Sequence, residues 1–321
     1  MKIAFYSTKP HEVEAFHSAN HDRHELIFLS DQLNESTVHL AQGCDAVCCF
    51  VTDILNASIL KKLATLGVKM ITLRSAGYDH LDVTTAKQLG LIIARVPEYS
   101  PEAVAEFATT LLLALTRKLP QALQKVARHD FTFTDLMGVN LHQKTVGIVG
   151  AGHIGTAFAR IMLGFGCRVL IDDPAPSAAC LALPIEVVSR EKILAESDVV
   201  SLHCPLTSDT LHWVNANSIA HMKKGVILIN TGRGALVDTA ALIDGLQSHH
   251  IGAAGLDVYE RETGLFFEDH SKEKLQDELF LKLALSPNVL ITNHIAFFSE
   301  EAVANIARIT IENLTAAKSN I

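Results

Sequence analysis

Short apolar runs alternate with stretches of helical period along the whole chain. The apolar runs predict strands over residues 2–6, 25–29, 46–51, 69–73 and 91–96. Helices fall between them, for example 59–66 stopping at Gly67 and 83–89 stopping at Gly90. Ser100-Pro101-Glu102 starts a further apolar helix, with a serine cap, proline at the first helical position and acid in the first turn. That helix is expected to run to about Arg117, where Pro120 interrupts it, and to bridge two domains. The alternation then resumes with strands at 145–149 and 168–171 around a helix at 156–162. More strands follow at 199–203, 226–229, 252–258 and 289–292. Ser299 caps a last helix whose Val303, Ile306, Ala307 and Leu314 keep helical spacing. Strands alternating with helices imply an α/β fold of parallel sheets covered on both faces. The connection over residues 260–287 is long for such a fold and carries Leu265-Phe266-Phe267, which points to a functional or interfacial role.

A length of 321 residues suggests about two domains, and 49% hydrophobic residues can fill two cores. The net charge of −8 argues against nucleic acid or an anionic membrane as partner, while a local arginine could still hold a small anion. Cysteines 44, 48, 49, 167, 180 and 204 form no C-x-x-C pair and read as reduced core residues of a cytoplasmic protein. No apolar run reaches the length of a membrane span, and residues 1–6 lead straight into a strand, not a signal peptide. His17, His21 and His24 sit near helical spacing, but nothing completes a ligand set, so no metal site is expected.

Against this background the stretch 144–173 is specific. After the strand 145–149, Gly150, Gly152 and Gly155 give G-x-G-x-x-G spacing and a helix follows. The first glycine permits a tight turn, the second lets backbone approach a pyrophosphate, and the third lets the helix lie close on the strand. The helix N-terminus offers unpaired N–H groups and a positive dipole end to the same pyrophosphate. Asp173 ends the next strand 18 residues after Gly155, where a carboxylate takes ribose hydroxyls and repels a 2′-phosphate. Strand, helix, second strand and acid together point to NAD rather than NADP.

Open parallel sheets bind ligands at the carboxyl ends of their strands, and three ionisable residues fall at such ends. Arg233 follows the strand ending near Asn230, Glu262 follows the strand ending at Val258-Tyr259, and His294 follows the strand at 289–292. Reduction of a 2-keto acid by a nicotinamide needs a cation for the carboxylate, a proton donor for the carbonyl oxygen and a group that orients the donor. An arginine fork matches a carboxylate in two hydrogen bonds. Histidine ordinarily titrates near neutral pH, and a neighbouring glutamate favours its charged form and fixes its tautomer.

With those residues in view, the chain resembles the D-isomer-specific 2-hydroxyacid dehydrogenase family, most closely its fermentative D-lactate dehydrogenases. The likeness covers essentially the whole chain. It runs through Leu73-Arg74-Ser75-Ala76-Gly77-Tyr78-Asp79, the stretch from Val96 to Glu106, and Gly150-Ala151-Gly152-His153-Ile154-Gly155. It continues in Ser201-Leu202-His203-Cys204-Pro205-Leu206-Thr207, Asn230-Thr231-Gly232-Arg233-Gly234-Ala235, the stretch from Gly255 to Glu262, and His294-Ile295-Ala296-Phe297. Residues 265–271 resemble the insertion of D-lactate dehydrogenases, where other branches have a short glutamate–proline turn. Two positions depart from the pattern: Phe107, where relatives often have histidine, and Glu98, where the loop is usually uncharged.

The resemblance implies two doubly wound parallel-sheet domains facing a cleft. A Rossmann-type NAD domain over 101–297 would be inserted into a flavodoxin-like substrate domain made of 1–100 and 298–321. It implies Arg233, Glu262 and His294 as the catalytic residues. Cofactor contacts would come from Gly150, Gly152, His153, Ile154, Gly155 and Asp173, from His203, Cys204 and Pro205 on the adenosine side, and from Thr231, Gly232 and Arg233. Asp257 would sit near the nicotinamide amide. Substrate contacts would come from the backbone of Ser75, Ala76 and Gly77, from Tyr99, Arg233 and His294, and from Phe297, with Phe298 beside it. A homodimer, or a higher homo-oligomer, through the nucleotide domain is the family expectation. The expected activity is NADH-dependent reduction of pyruvate to D-lactate. Within the family the rival is reduction of hydroxypyruvate, glyoxylate or a larger 2-keto acid. From another class the rival is a nicotinamide-sensing binding protein, which would need a docking surface and usually added tails, whereas this chain is expected to begin at its first strand and end in its last helix.

Overall fold

The computed structural model describes residues 1–317 and 319–321, and the chain divides into two compact units. Met1–Ser100 with Phe298–Ile321 form the first, and Pro101–Phe297 the second.

The first unit is built on five parallel strands: β1 (Lys2–Phe5), β2 (Glu25–Phe28), β3 (Ala46–Cys49), β4 (Met70–Leu73) and β5 (Ile92–Arg95). Their order, β2-β1-β3-β4-β5, is the flavodoxin-like winding. β3 and β4 are buried along their whole length, as strands covered on both faces must be, and so read as continuous apolar runs. One charged pair sits inside this core. Arg74, at the carboxyl end of β4, donates from Nε to Glu12 at 2.7 Å and from Nη2 to the carbonyls of Tyr6 and Ser7. A guanidinium this buried requires every such partner, and the pairing fixes where the chain leaves β4. Ser299 accepts from the Ala302 amide and starts the helix Glu300–Ala316, whose Asn305 and Asn313 donate to the carbonyls of Tyr99 and Arg95.

The second unit carries seven parallel strands: β6 (Thr145–Val149), β7 (Arg168–Asp172), β8 (Glu186–Val187), β9 (Val199–Leu202), β10 (Val226–Asn230), β11 (Ile251–Leu256) and β12 (Val289–Ile291). The order β12-β11-β10-β9-β6-β7-β8 is the Rossmann arrangement with one strand added at the β12 edge. Its crossover point lies between β6 and β9. β8 is a two-residue exposed edge strand, too short and too polar for the pattern to reveal. Pro120 does not simply break the helix Pro101–Thr116. It lies in the first turn of the next helix, Leu119–Ala127, where a missing N–H costs nothing, after Lys118 turns the chain at φ +50°. The connection over residues 260–287 contains a helix, Glu278–Ala284, capped by Asp277.

Among the described residues no helix is long and apolar enough to cross a membrane. Five of the six cysteines are buried and all six are free thiols. His17 packs edge-on against Phe28, and His24 bonds the Thr315 hydroxyl.

Candidate active site

The glycine loop follows β6. Gly150 adopts φ +93°, open to glycine at little cost, and a Cβ there would also overlap the backbone of His203 and Cys204. A Cβ on Gly155 would overlap the Gly150 carbonyl, so the helix His153–Gly164 can sit this close only without a side chain. Gly152, the cap of that helix, differs, since a Cβ there would meet nothing within 4 Å. The cradle is therefore closed on the protein side at Gly150 and Gly155 and open at Gly152, with His153 and Ile154 in the first helical turn. Asp173 accepts from the Ala151 amide at 2.6 Å and from the Ala175 amide at 2.7 Å, so the acid is locked to the glycine loop.

Across the loop, His203 lies 2.8 Å from the Ser201 hydroxyl and 5.1 Å, ring to ring, from Phe158. Burial pushes its imidazole down to about 4, so it is neutral at physiological pH. Burial likewise pushes the Cys204 thiol up to about 11, which makes it a poor nucleophile. Pro205 is exposed beside them. The Thr231 hydroxyl is buried and has no partner among the described residues. An open glycine cradle after β6 and an orphaned hydroxyl after β10, with β9 between them in the same sheet, fit a polar ligand such as a dinucleotide.

Arg233, Glu262 and His294 follow β10, β11 and β12, three adjacent strands, at their carboxyl ends. The turn that carries Arg233 is tied by Asn230, whose side chain accepts from the Gly232 amide and donates to the Arg233 carbonyl. Gly234 packs directly on the Tyr259 backbone, where a Cβ would overlap the carbonyl. The Tyr259 amide donates to Glu262 Oε2 at 2.9 Å. The other carboxylate oxygen, Oε1, lies 2.8 Å from His294 Nδ1. Both oxygens of Glu262 are thus committed, one to the backbone and one to the imidazole.

His294 itself stands at φ +60°, a left-handed conformation that side chains avoid. Asp257 holds it there. The Asp257 carbonyl accepts from the His294 amide at 2.7 Å, and its carboxylate accepts from Thr292 Oγ1, the Ile295 amide and the Ala296 amide. The side chain is fully buried, and burial raises its carboxyl above the usual range. Sequence reasoning placed Asp257 beside the nicotinamide and missed this clamp. In the sequence it is only an acid at the end of an apolar run, 37 residues before the histidine, which no local pattern connects to it.

The remaining expected residues lie in the first unit, apart from Phe297. Ser75 Oγ donates to the Gly77 carbonyl at 2.7 Å, and Arg95 Nη1 donates to the Ala76 carbonyl at 2.9 Å while its guanidinium lies over the Tyr78 ring. The loop after β4 is thereby held with its carbonyls engaged. Tyr99 is half-buried at the Asn305 contact. Phe297 is half-buried at the end of the second unit, whereas the Phe298 ring lies edge-on to His11 at 4.6 Å in the first.

Residues 109–296 match the family model described as D-isomer specific 2-hydroxyacid dehydrogenase, NAD binding domain. The chain is 44% identical to the D-lactate dehydrogenase of Escherichia coli over 98% of its own length and 96% of that protein's. It superposes on the solved pyruvate reductase of Chlamydomonas reinhardtii with a TM-score of 0.93 and 43% identity, covering 98% of this chain and 95% of that one. It also superposes on the D-lactate dehydrogenase of Lactobacillus jensenii solved with NAD+, with a TM-score of 0.83 and 35% identity, covering 98% and 96% of the two chains.

Proposed function

Because the chain belongs to the D-isomer-specific 2-hydroxyacid dehydrogenases, an NAD-dependent family of enzymes, we propose that it reduces pyruvate to D-lactate with NADH, reversibly. The observation that carries this reading is the His294–Glu262 pair at 2.8 Å, on the next two strand ends beyond the one that carries Arg233. With Nδ1 engaged by Glu262, Nε2 of His294 is the nitrogen that exchanges a proton with the C2 oxygen. Glu262 fixes the tautomer and balances the charge when both nitrogens carry protons. Arg233 takes the substrate carboxylate in its fork. Backbone amides of Ser75, Ala76 and Gly77 add neutral donors to the same group. Bound nicotinamide supplies the hydride. Gly150, Gly152, His153, Ile154 and Gly155 cradle its pyrophosphate, His203, Cys204 and Pro205 flank the adenosine, Thr231 and Gly232 line the remainder, and Asp173 disfavours a 2′-phosphate.

Pyruvate is the proposed substrate on the expectation that its C3 group meets apolar side chains, the role the family resemblance gives to Tyr99 and to Phe297. Burying the extra hydroxyl of hydroxypyruvate without a partner costs about 1–3 kcal/mol, a preference of roughly 5- to 150-fold in kcat/KM. The D hand rests on the family, whose relatives include D-lactate dehydrogenases. The six free thiols, five of them buried, suit a cytoplasmic enzyme, and a fermentative role rests on the family resemblance. A second copy of the chain is the partner proposed for residues 119–139, where Phe131, Phe133 and Met137 are 77%, 88% and 88% exposed, far beyond what a solvated surface ordinarily carries.

The test is a panel of 2-keto acids with NADH and NADPH, followed by chiral analysis of the product. Pyruvate with NADH should give the highest kcat/KM and D-lactate alone. Higher kcat/KM with hydroxypyruvate, glyoxylate or a bulky keto acid would overturn the substrate, and L-lactate would overturn the hand. Sedimentation of the protein should give a dimer or a higher homo-oligomer, and Phe133→Asp with Met137→Asp should dissociate it.

A further inference from the structure

The long connection after β11 returns to the site it leaves. The Glu262 carbonyl accepts from the amides of both Leu265 and Phe266, a tight turn that reverses the chain just after the glutamate. Two phenylalanines follow, and they diverge. Phe266 is buried in the core of the second unit, with its ring 6.1 Å from that of Phe280. Phe267, half-buried, packs against the edge of the same core and also lies with its ring 5.8 Å from the His294 imidazole, the planes 38° apart. Both members of this second pair stand in the left-handed region, Phe267 at φ +69° and His294 at φ +60°. Three residues earlier the chain needs the same conformation and uses Gly264, at φ +74° and with open space around it. A loop free to choose would place glycine or asparagine at 267 as well. The strained backbone is there with a large aromatic ring on it, and the ring lies against the one side chain that Glu262 also holds.

We propose that Phe267 is a positioning residue for His294, its ring closing one face of the imidazole so that water is kept off that face and the ring plane is fixed by two contacts, Glu262 at Nδ1 and Phe267 at the face. A hydrogen bond at Nδ1 alone still leaves the imidazole room to tilt about its χ1 and χ2 bonds. The aromatic contact removes this freedom, and a π-face also tolerates the charge when the ring is doubly protonated. The insertion over residues 265–271 thereby serves the chemistry directly. Its first phenylalanine anchors it in the core and its second acts on the histidine.

This inference rests on the reading of His294 as the proton donor, so His294→Ala is measured alongside. The informative variant is Phe267→Gly, because glycine relieves the left-handed strain while it removes the ring. Phe267→Gly should keep its melting temperature within a few degrees and its NADH affinity by fluorescence titration. Its kcat should fall by about 2- to 12-fold, the worth of an aromatic contact, with little change in the KM for pyruvate. Phe267→Tyr should restore kcat and Phe267→Leu should restore only part of it. Wild-type kcat in Phe267→Gly, or equal losses in the tyrosine and glycine variants, would overturn the inference while leaving the role of His294 intact. Full turnover in His294→Ala would overturn both.

Discussion

The His294 amide donates to the Asp257 carbonyl at 2.7 Å, and the Asp257 carboxylate grips the residues on either side of that histidine. The acid thus sets the backbone from which the imidazole projects, four strand-ends along from the glycine loop. Its burial raises the carboxyl above the ordinary range, yet two amides and a hydroxyl point at it and stabilise the ionised form.

Asp257→Asn should therefore act as a structural lesion at His294. An amide has one acceptor oxygen, so its NH2 must face a donor that the carboxylate satisfied. An unpaired buried donor costs about 1–3 kcal/mol. Urea unfolding should register that loss, and kcat should fall more than NADH affinity. If NADH binding weakens strongly while stability holds, Asp257 acts on the nicotinamide and not on the histidine loop.

Glu262→Gln should lose about 10²–10⁴-fold in kcat although it keeps shape and volume. The reason is directional. One oxygen of Glu262 accepts from Tyr259 N–H, and the other meets His294 Nδ1. Glutamine can serve only one of them with its oxygen. If that oxygen stays on Tyr259, the NH2 forces Nδ1 to accept, which is the wrong tautomer. If it turns to His294, the NH2 collides with the Tyr259 amide hydrogen. Steady-state kinetics decide this, and turnover within twofold of wild type would remove Glu262 from the mechanism. His294→Ala should lose a similar factor.

Much of this was legible without coordinates, because its signals are local. The glycine spacing, the acid after β7 and the strand-end positions of Arg233, Glu262 and His294 each follow from a period and a neighbour. The alternation of runs predicts parallel sheets, while the doubly wound form of the two domains came with the family resemblance. The strand order that places those ends side by side came with the structure. What stayed hidden depends on contacts far apart in sequence. Nothing near Asp257 signals its bonds to residues 292–296, and nothing near Arg74 signals Glu12. The two-residue strand at Glu186 has no period to detect. Pro120 reads as a break locally and starts a helix in fact, because Lys118 takes the turn. The divergence of Phe266 and Phe267 requires the backbone torsion at 267, which no residue pattern announces.

Gly234→Ala tests whether the arginine turn must sit hard against the strand beside it. A single methyl there overlaps the Tyr259 carbonyl, and backbone cannot swing aside as a flexible side chain can. Overpacking of this kind costs about 1–3 kcal/mol and displaces the turn that carries Arg233. The KM for the keto acid should rise and kcat should fall. Arg233→Ala, which deletes the fork without moving the turn, should cost roughly 30- to 5000-fold in kcat/KM, and Arg233→Lys should recover part of it. A Gly234→Ala enzyme with wild-type constants would show that the turn is not held where the packing puts it.

His203 gives the protein an acid-side weakness with a defined window. Its imidazole is lowered by burial from 6.5 to about 4, so in the folded protein it stays neutral where the unfolded chain already binds a proton. The sign follows directly. Above about 6.5 neither state is protonated and the full stability is present. As the pH falls from 6.5 towards 4 the unfolded state gains the proton first, and stability drops by up to about 3 kcal/mol. Below about 4 the loss levels off. His203→Gln keeps a polar contact for Ser201 but cannot titrate, so its unfolding free energy should fall less steeply over this window than that of the wild type. Urea titrations of both proteins at pH 7.5, 6, 5 and 4.5 measure the difference. Parallel curves would mean that the imidazole takes up its proton inside the folded protein, with water or a carboxylate reaching it beside the glycine loop.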